Sequence, residues 1–236
     1  MEISIDFATV RRLLKEEYAQ ARAGIAQAGP VAALAGSQVR HDDCLAAASD
    51  AQTLACRDGC AWCCHFTVDV RAVEVFGILD FVTHHFSPAR QAALRDEIEI
   101  NSREVALLSE EQRMRRTAKC PFLEMGRCTI YSVRPQTCRN YHATDAAGCR
   151  QSFEEPGNLD IDPEFAPMVY QSGGAHVEGF SAAMQDAGFD TAAYELNQAL
   201  AAALRQPEES RRRFADGLKP FTKLSGEAVP AEFAED

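Results

Sequence analysis

Four of the chain's nine cysteines crowd into one short run, Cys56, Cys60, Cys63 and Cys64, spaced C-x3-C-x2-C-C. An even spread would put only about a third of a cysteine in such a window. Thiolates hold zinc and iron-sulfur centres, so a metal is the chemistry this spacing offers. A looser second group, Cys120, Cys128, Cys138 and Cys149, brings the candidate ligands to eight. Adjacent residues cannot easily aim both sulfurs at one ion, so Cys63 and Cys64 are expected to serve different metals, or one of them to bridge. Eight sulfurs suffice for two four-sulfur sites, or for an iron-sulfur cluster beside a zinc-like site. Either arrangement requires residues 120–149 to fold back over 56–64.

The elements that must position these sulfurs read as helices. Val10, Leu14, Tyr18, Ala21 and Ile25 lie on one face and predict a helix near 7–27, ended by Gly29-Pro30. An Ala-rich helix over 37–54, carrying Cys44, leads into the cluster loop. Val70, Val73, Ile78, Phe81 and Val82 mark a further helix, with Thr67 or Asp69 as its cap. Ser87-Pro88 opens another, with Leu94, Ile98, Val105 and Leu108 on its stripe. Pro121, Gly126, Pro135 and Gly148 break residues 120–149 into short pieces with at most a short strand near 128–133. Helices return at about 163–187 and 190–205, the latter capped by Asp190.

The expected fold is therefore mainly α, a helical domain with an irregular cysteine-rich metal-binding loop region. It divides into an N-terminal helical region (1–55), a cysteine-cluster core (56–149), a C-terminal helical region packed on that core (150–224) and a flexible tail (225–236).

Composition narrows the function. The chain has 24 Lys and Arg against 35 Asp and Glu, a net charge of −11, which opposes binding to phosphate backbones and acidic membrane surfaces. Arg211, Arg212 and Arg213, like Arg115 and Arg116, read as solvated helix faces. No apolar run reaches membrane-spanning length and the first residues lack a secretory pattern, so a soluble, cytoplasmic protein is expected. In that reducing setting clustered thiols point to metal rather than disulfides.

Three runs in order carry a resemblance. Cys-Arg-Asp-Gly-Cys-Ala-Trp-Cys-Cys at 56–64, Cys-Pro-Phe-Leu at 120–123 and Cys-Thr-Ile-Tyr-Ser-Val-Arg-Pro-Gln-Thr-Cys-Arg at 128–139 are similar to the YkgJ-like family of zinc- or iron-chelating cysteine-cluster domains. The resemblance covers about 56–149 and implies a metal or iron-sulfur site on the matching cysteines. Members of this family are often labelled iron-sulfur oxidoreductases. The flagellin lysine N-methylases share this kind of cluster, which leaves a cluster-dependent protein methylase as an alternative, although the chain is short for that architecture and shows no separate motif for methyl transfer.

Cys56, Cys60 and Cys63 also have the spacing of radical S-adenosylmethionine enzymes, but helices surround them rather than the strands of a β/α barrel. Of zinc and an iron-sulfur cluster, a four-iron cluster is favoured. No catalytic residue stands out, and no protein partner is indicated. Among residues near the sulfurs, His65 and His142 read as polar loop residues rather than primary ligands, and His84-His85 as an exposed helix end. Arg134 and Arg139 flank Cys138 and could hydrogen-bond its sulfur. Trp62, Phe122, Tyr131 and Tyr141 could wall the site from water. Isolated Cys44 reads as a core residue.

Overall fold

The computed structural model describes residues 5–57 and 59–221, and its architecture is mainly α. Helix α1 (Phe7–Ala28) starts at Asp6, whose carboxylate accepts the Ala8 and Thr9 N–H groups. Gly29, at φ 82°, ends it in a conformation that glycine adopts without strain. Pro30 then opens α2 (Pro30–Ala46) with no intervening loop. The second helix thus begins and ends earlier than the Ala-rich run suggested, because a proline that stops one helix also suits the first turn of the next. Residues Ala51–Thr53 form a separate 3-10 turn.

After the first cysteine group, strand β1 (Asp69–Arg71) leads into α3 (Ala72–His85), which starts later than a cap at Thr67 or Asp69 predicts. Residue Ser87 caps α4 (Pro88–Ala106) through the Arg90 N–H, as its Ser-Pro signature predicts. Short helix α5 (Glu110–Met114) leads to a hairpin of β2 (Leu123–Glu124) and β3 (Arg127–Cys128). Then come α6 (Gln136–Asn140), α7 (Ala146–Glu154) and the long α8 (Pro167–Asp186). Strand β4 (Ala193–Glu195) pairs antiparallel with β1, Val70 opposite Tyr194.

That pairing shortens the helix expected from residue 190. Helix α9 (Leu196–Arg205) starts after the strand, with Glu195 rather than Asp190 as cap, and α10 (Pro207–Ala215) follows. The tail expected from Ser225 lies outside the described residues.

A continuous apolar core runs from Ala21 on α1 to Phe221, with Phe76, Ile78, Ile98, Phe180 and Leu200 almost fully inaccessible at its centre. Helix α1 lies along α8, and α4 along α9. The α1–α8 crossing is close at Gly179, where an added Cβ would sit 2.5 Å from the Leu14 carbonyl oxygen. Only glycine lets these backbones approach so nearly. The core therefore joins helices from both ends of the chain, and the cysteine segment emerges between them. No helix among the described residues is long and apolar enough to cross a membrane.

Candidate metal centre

Cys56 and Cys60 sit in the loop that follows α2, and Gly59, at φ 83°, bends it. Cys63 and Cys64 sit on a single 3-10 turn, Trp62–His65, closed by the Cys64 N–H on the Ala61 carbonyl at 3.1 Å.

The second group comes back over the first, as the spacing required. The Ala118 N–H donates to the His65 carbonyl and the Cys120 N–H to the Cys64 carbonyl, both at 2.8 Å. The β2–β3 hairpin then turns through Met125 (φ 47°) and Gly126 (φ 77°) and delivers Cys128. Cys138 lies on α6, which is anchored from below: the Gln136 N–H donates to Glu74 on α3 at 2.6 Å, and the Thr137 hydroxyl to the Asp69 carbonyl at 3.0 Å. Cys149 rides on α7. Asp145 caps that helix, and Phe153 packs against Trp62 and His65 with ring centroids 5.3 and 4.7 Å away. The anchoring role of Glu74 is absent from the sequence reading, because it stands alone in an apolar stripe with no motif around it.

Backbone N–H groups face several of the sulfurs. The Ala143 N–H donates to Cys56 at 3.5 Å, and the Phe122 and Ile130 amides, each two residues further along, favour the charged forms of Cys120 and Cys128. An N–H aimed at sulfur favours a thiolate.

Burial acts the other way. It pushes the Cys120 thiol up to about 12 and Cys149 to about 11, and raises Cys56, Cys128 and Cys138 as well. Cys63 is raised most directly by a hydrogen bond with the Cys64 thiol, then by burial.

As thiolates, the sulfurs would repel one another in two sets. Cys149 feels Cys56, Cys63 and Cys60, whereas Cys138 feels Cys120, Cys63 and Cys128. Cys63 belongs to both. Among the described residues, no group of three or more His, Cys, Asp or Glu side chains is placed to hold a single ion. In donor type the residues fit a soft metal or a cluster, and closing onto it would require the sulfurs to draw further together.

The residues around the sulfurs divide. Arg139, almost fully inaccessible, turns its guanidinium to Asp42 and the Ser132 carbonyl. Arg134 binds Asp42 and the Tyr131 carbonyl and lies over the Tyr131 ring at 3.9 Å. Among the described residues neither donates to a sulfur, although the Arg134 charge favours the Cys128 thiolate. The His65 Nδ1 lies 3.1 Å from its own turn's Ala61 carbonyl, and His84 and His85 are exposed. Phe122 is buried in the main core and Tyr141 packs edge-on against Phe165, while Tyr131 is exposed and walls nothing. Cys44 contacts the Ser172 carbonyl at 3.6 Å and has Glu17, Arg12 and Glu16 as its charged neighbours, consistent with its reading as a packing residue.

Residues 55–157 match the model of the CxxCxxCC family, described as "Putative zinc- or iron-chelating domain". No curated protein and no solved structure matches the chain. All eight grouped cysteines fall inside the matched segment, and the helices that frame it fall largely outside. Over residues 55–157 the chain is thus similar to the cysteine-cluster family that its motifs resemble.

Proposed function

We propose that the chain binds metal through Cys56, Cys60, Cys63, Cys64, Cys120, Cys128, Cys138 and Cys149 as one polynuclear thiolate centre, with an iron-sulfur cluster preferred to zinc. The observation that carries this reading is the Trp62–His65 turn, which sets Cys63 and Cys64 side by side, with the Cys120 N–H on the Cys64 carbonyl at 2.8 Å, so that thiols of both groups lie within electrostatic reach of Cys63. Two independent zinc sites would each need a closed set of four ligands. A shared thiol instead suits a centre in which metals are bridged. The amides on Cys56, Cys120 and Cys128 support the same reading, since hydrogen bonds to sulfur and burial are the means by which a protein sets a cluster's potential. A cluster would supply one-electron chemistry, whereas zinc would supply only a structural clasp or a Lewis acid.

Anaerobically purified protein should contain iron with acid-labile sulfide, absorb in the visible, and give a paramagnetic signal in one oxidation state. Colourless protein with zinc alone and no such signal after reduction removes the redox reading and leaves a zinc protein. Native protein devoid of metal overturns both.

A further inference from the structure

Around α6, the helix that carries Cys138, is a concentration of buried polar atoms without hydrogen-bond partners among the described residues. His41 on α2 is wholly inaccessible, and neither of its ring nitrogens has a hydrogen-bond partner among the described residues. The same holds for Nε of Arg139, Oδ1 of Asn140 and Nδ1 of His142. Buried polar atoms left unpaired cost about 1–3 kcal/mol each, and folded proteins keep few of them. Gln136, also on α6, has both side-chain polar atoms unpaired as well, so five residues with such atoms gather around α6 and mark a place built to meet something polar.

The charge there has a sign. The guanidiniums of Arg134 and Arg139 are 9% and 1% exposed, and the carboxylate that both share is Asp42, whose side chain is 49% exposed. Two nearly buried cations thus lean on one carboxylate at the surface. His41 lies in the field of both arginines, of His142 and of His176, and burial together with these neighbours pushes it down to about 2. His176, stacked on His41 at 4.8 Å, is already engaged by Ser37 and lies beside Glu17, which forms a two-point pair with Arg40. A metal cation is disfavoured by the arginines, and a neutral ligand leaves their charge unmet.

We propose that Arg134, Arg139, His41 and His142 form a binding site for a small oxyanion, in which Asp42 is an internal stand-in that the ligand displaces toward solvent. The planar fork of a guanidinium matches two oxygens of a carboxylate or phosphate. A neutral imidazole offers one N–H donor, which His41 has free for the anion and which His142 must turn from the Arg139 carbonyl. Exposed Tyr131, with Arg134 over its ring, stands at the outer edge. This site stands independently of the metal and its nature.

The test titrates protein as purified with sodium acetate and with sodium phosphate, with sodium chloride matched for ionic strength, reading Tm and the side-chain 15N signals of histidine. At ten times Kd, a specific oxyanion should raise Tm by about 4 °C. The His41 and His142 signals should move in a saturable way. The variant Asp42→Ala, which removes the competing carboxylate from a half-exposed position, should bind the same anion about tenfold more tightly. A response to acetate alone assigns a carboxylate, and one to phosphate alone assigns a phosphate. If wild-type protein responds to neither beyond chloride, or only the exposed His84 and His85 signals move, the unpaired atoms are met by water and the proposal is overturned, whether or not the variant folds.

Discussion

The Cys120 N–H donates to the Cys64 carbonyl across 2.8 Å, so a residue of the second cysteine group is fixed by backbone to the last residue of the first. Peptide geometry therefore sets the approach of the two groups before any sulfur is engaged. That arrangement lets the contributions of single thiols be separated.

Cys63→Ser should cost more bound metal than Cys149→Ser or Cys128→Ser, because it removes the sulfur common to both sets. Cys44→Ser should leave metal content at the wild-type level. Metal per chain after anaerobic purification decides this, and equal losses for Cys63, Cys128 and Cys149 would remove the special standing of Cys63.

Glu74→Gln should destabilise the fold by about 2 kcal/mol and lower metal retention. The two carboxylate oxygens of Glu74 accept separate N–H groups, from Arg71 at 2.7 Å and Gln136 at 2.6 Å. An amide offers one oxygen and turns an N–H donor toward the other backbone donor. Urea midpoints and metal content report on the two effects, and a variant with unchanged midpoint would exclude Glu74 as the anchor of α6.

The metal-free chain should lose stability as pH rises above about 9. Burial holds the Cys120 thiol up at about 12, and Cys149 and Cys44 at about 11, against an ordinary value of 9.0. Folded protein then keeps protons that unfolded chains have released, so the stabilisation is complete below pH 9 and is lost as pH climbs through 11 to 12. Urea midpoints at pH 8, 9 and 10 should fall in order, and a flat or rising series contradicts the burial of these thiols.

Gly179→Ala should destabilise the protein by about 2–3 kcal/mol, since the new methyl would meet the Leu14 carbonyl at 2.5 Å. The effect should appear in the urea midpoint, with the metal-to-chain ratio of the folded fraction unchanged. A loss of metal without loss of stability would reverse the assignment of this contact to the frame.

The helices were legible where the sequence repeats itself physically. The i, i+4 stripe of α1 and the Ser-Pro signal of α4 fall within a residue of the observed elements. The β1–β4 pair was not legible. Each strand is three residues long, too short to alternate, and its partner lies more than a hundred positions away, so only the tertiary fold reveals it. At the centre, the return of Cys120 to Cys64 follows from the ligand count. The direction of Arg139 does not follow from its place beside Cys138: residues adjacent on a helix point about 100° apart, and that turn carries the guanidinium to Asp42.

Most of the face that helix α1 buries is supplied by α8, which leaves the ribosome only after α1 and the whole cysteine segment have been made. The loop between these helices must close before α1 has its partner, and that closure carries an entropic cost set by its length. Each thiol is thus synthesised while the frame is still open to small solutes. The α1–α8 pair can close only once every grouped thiol has been made, so the frame is completed around cysteines that were first open to solvent.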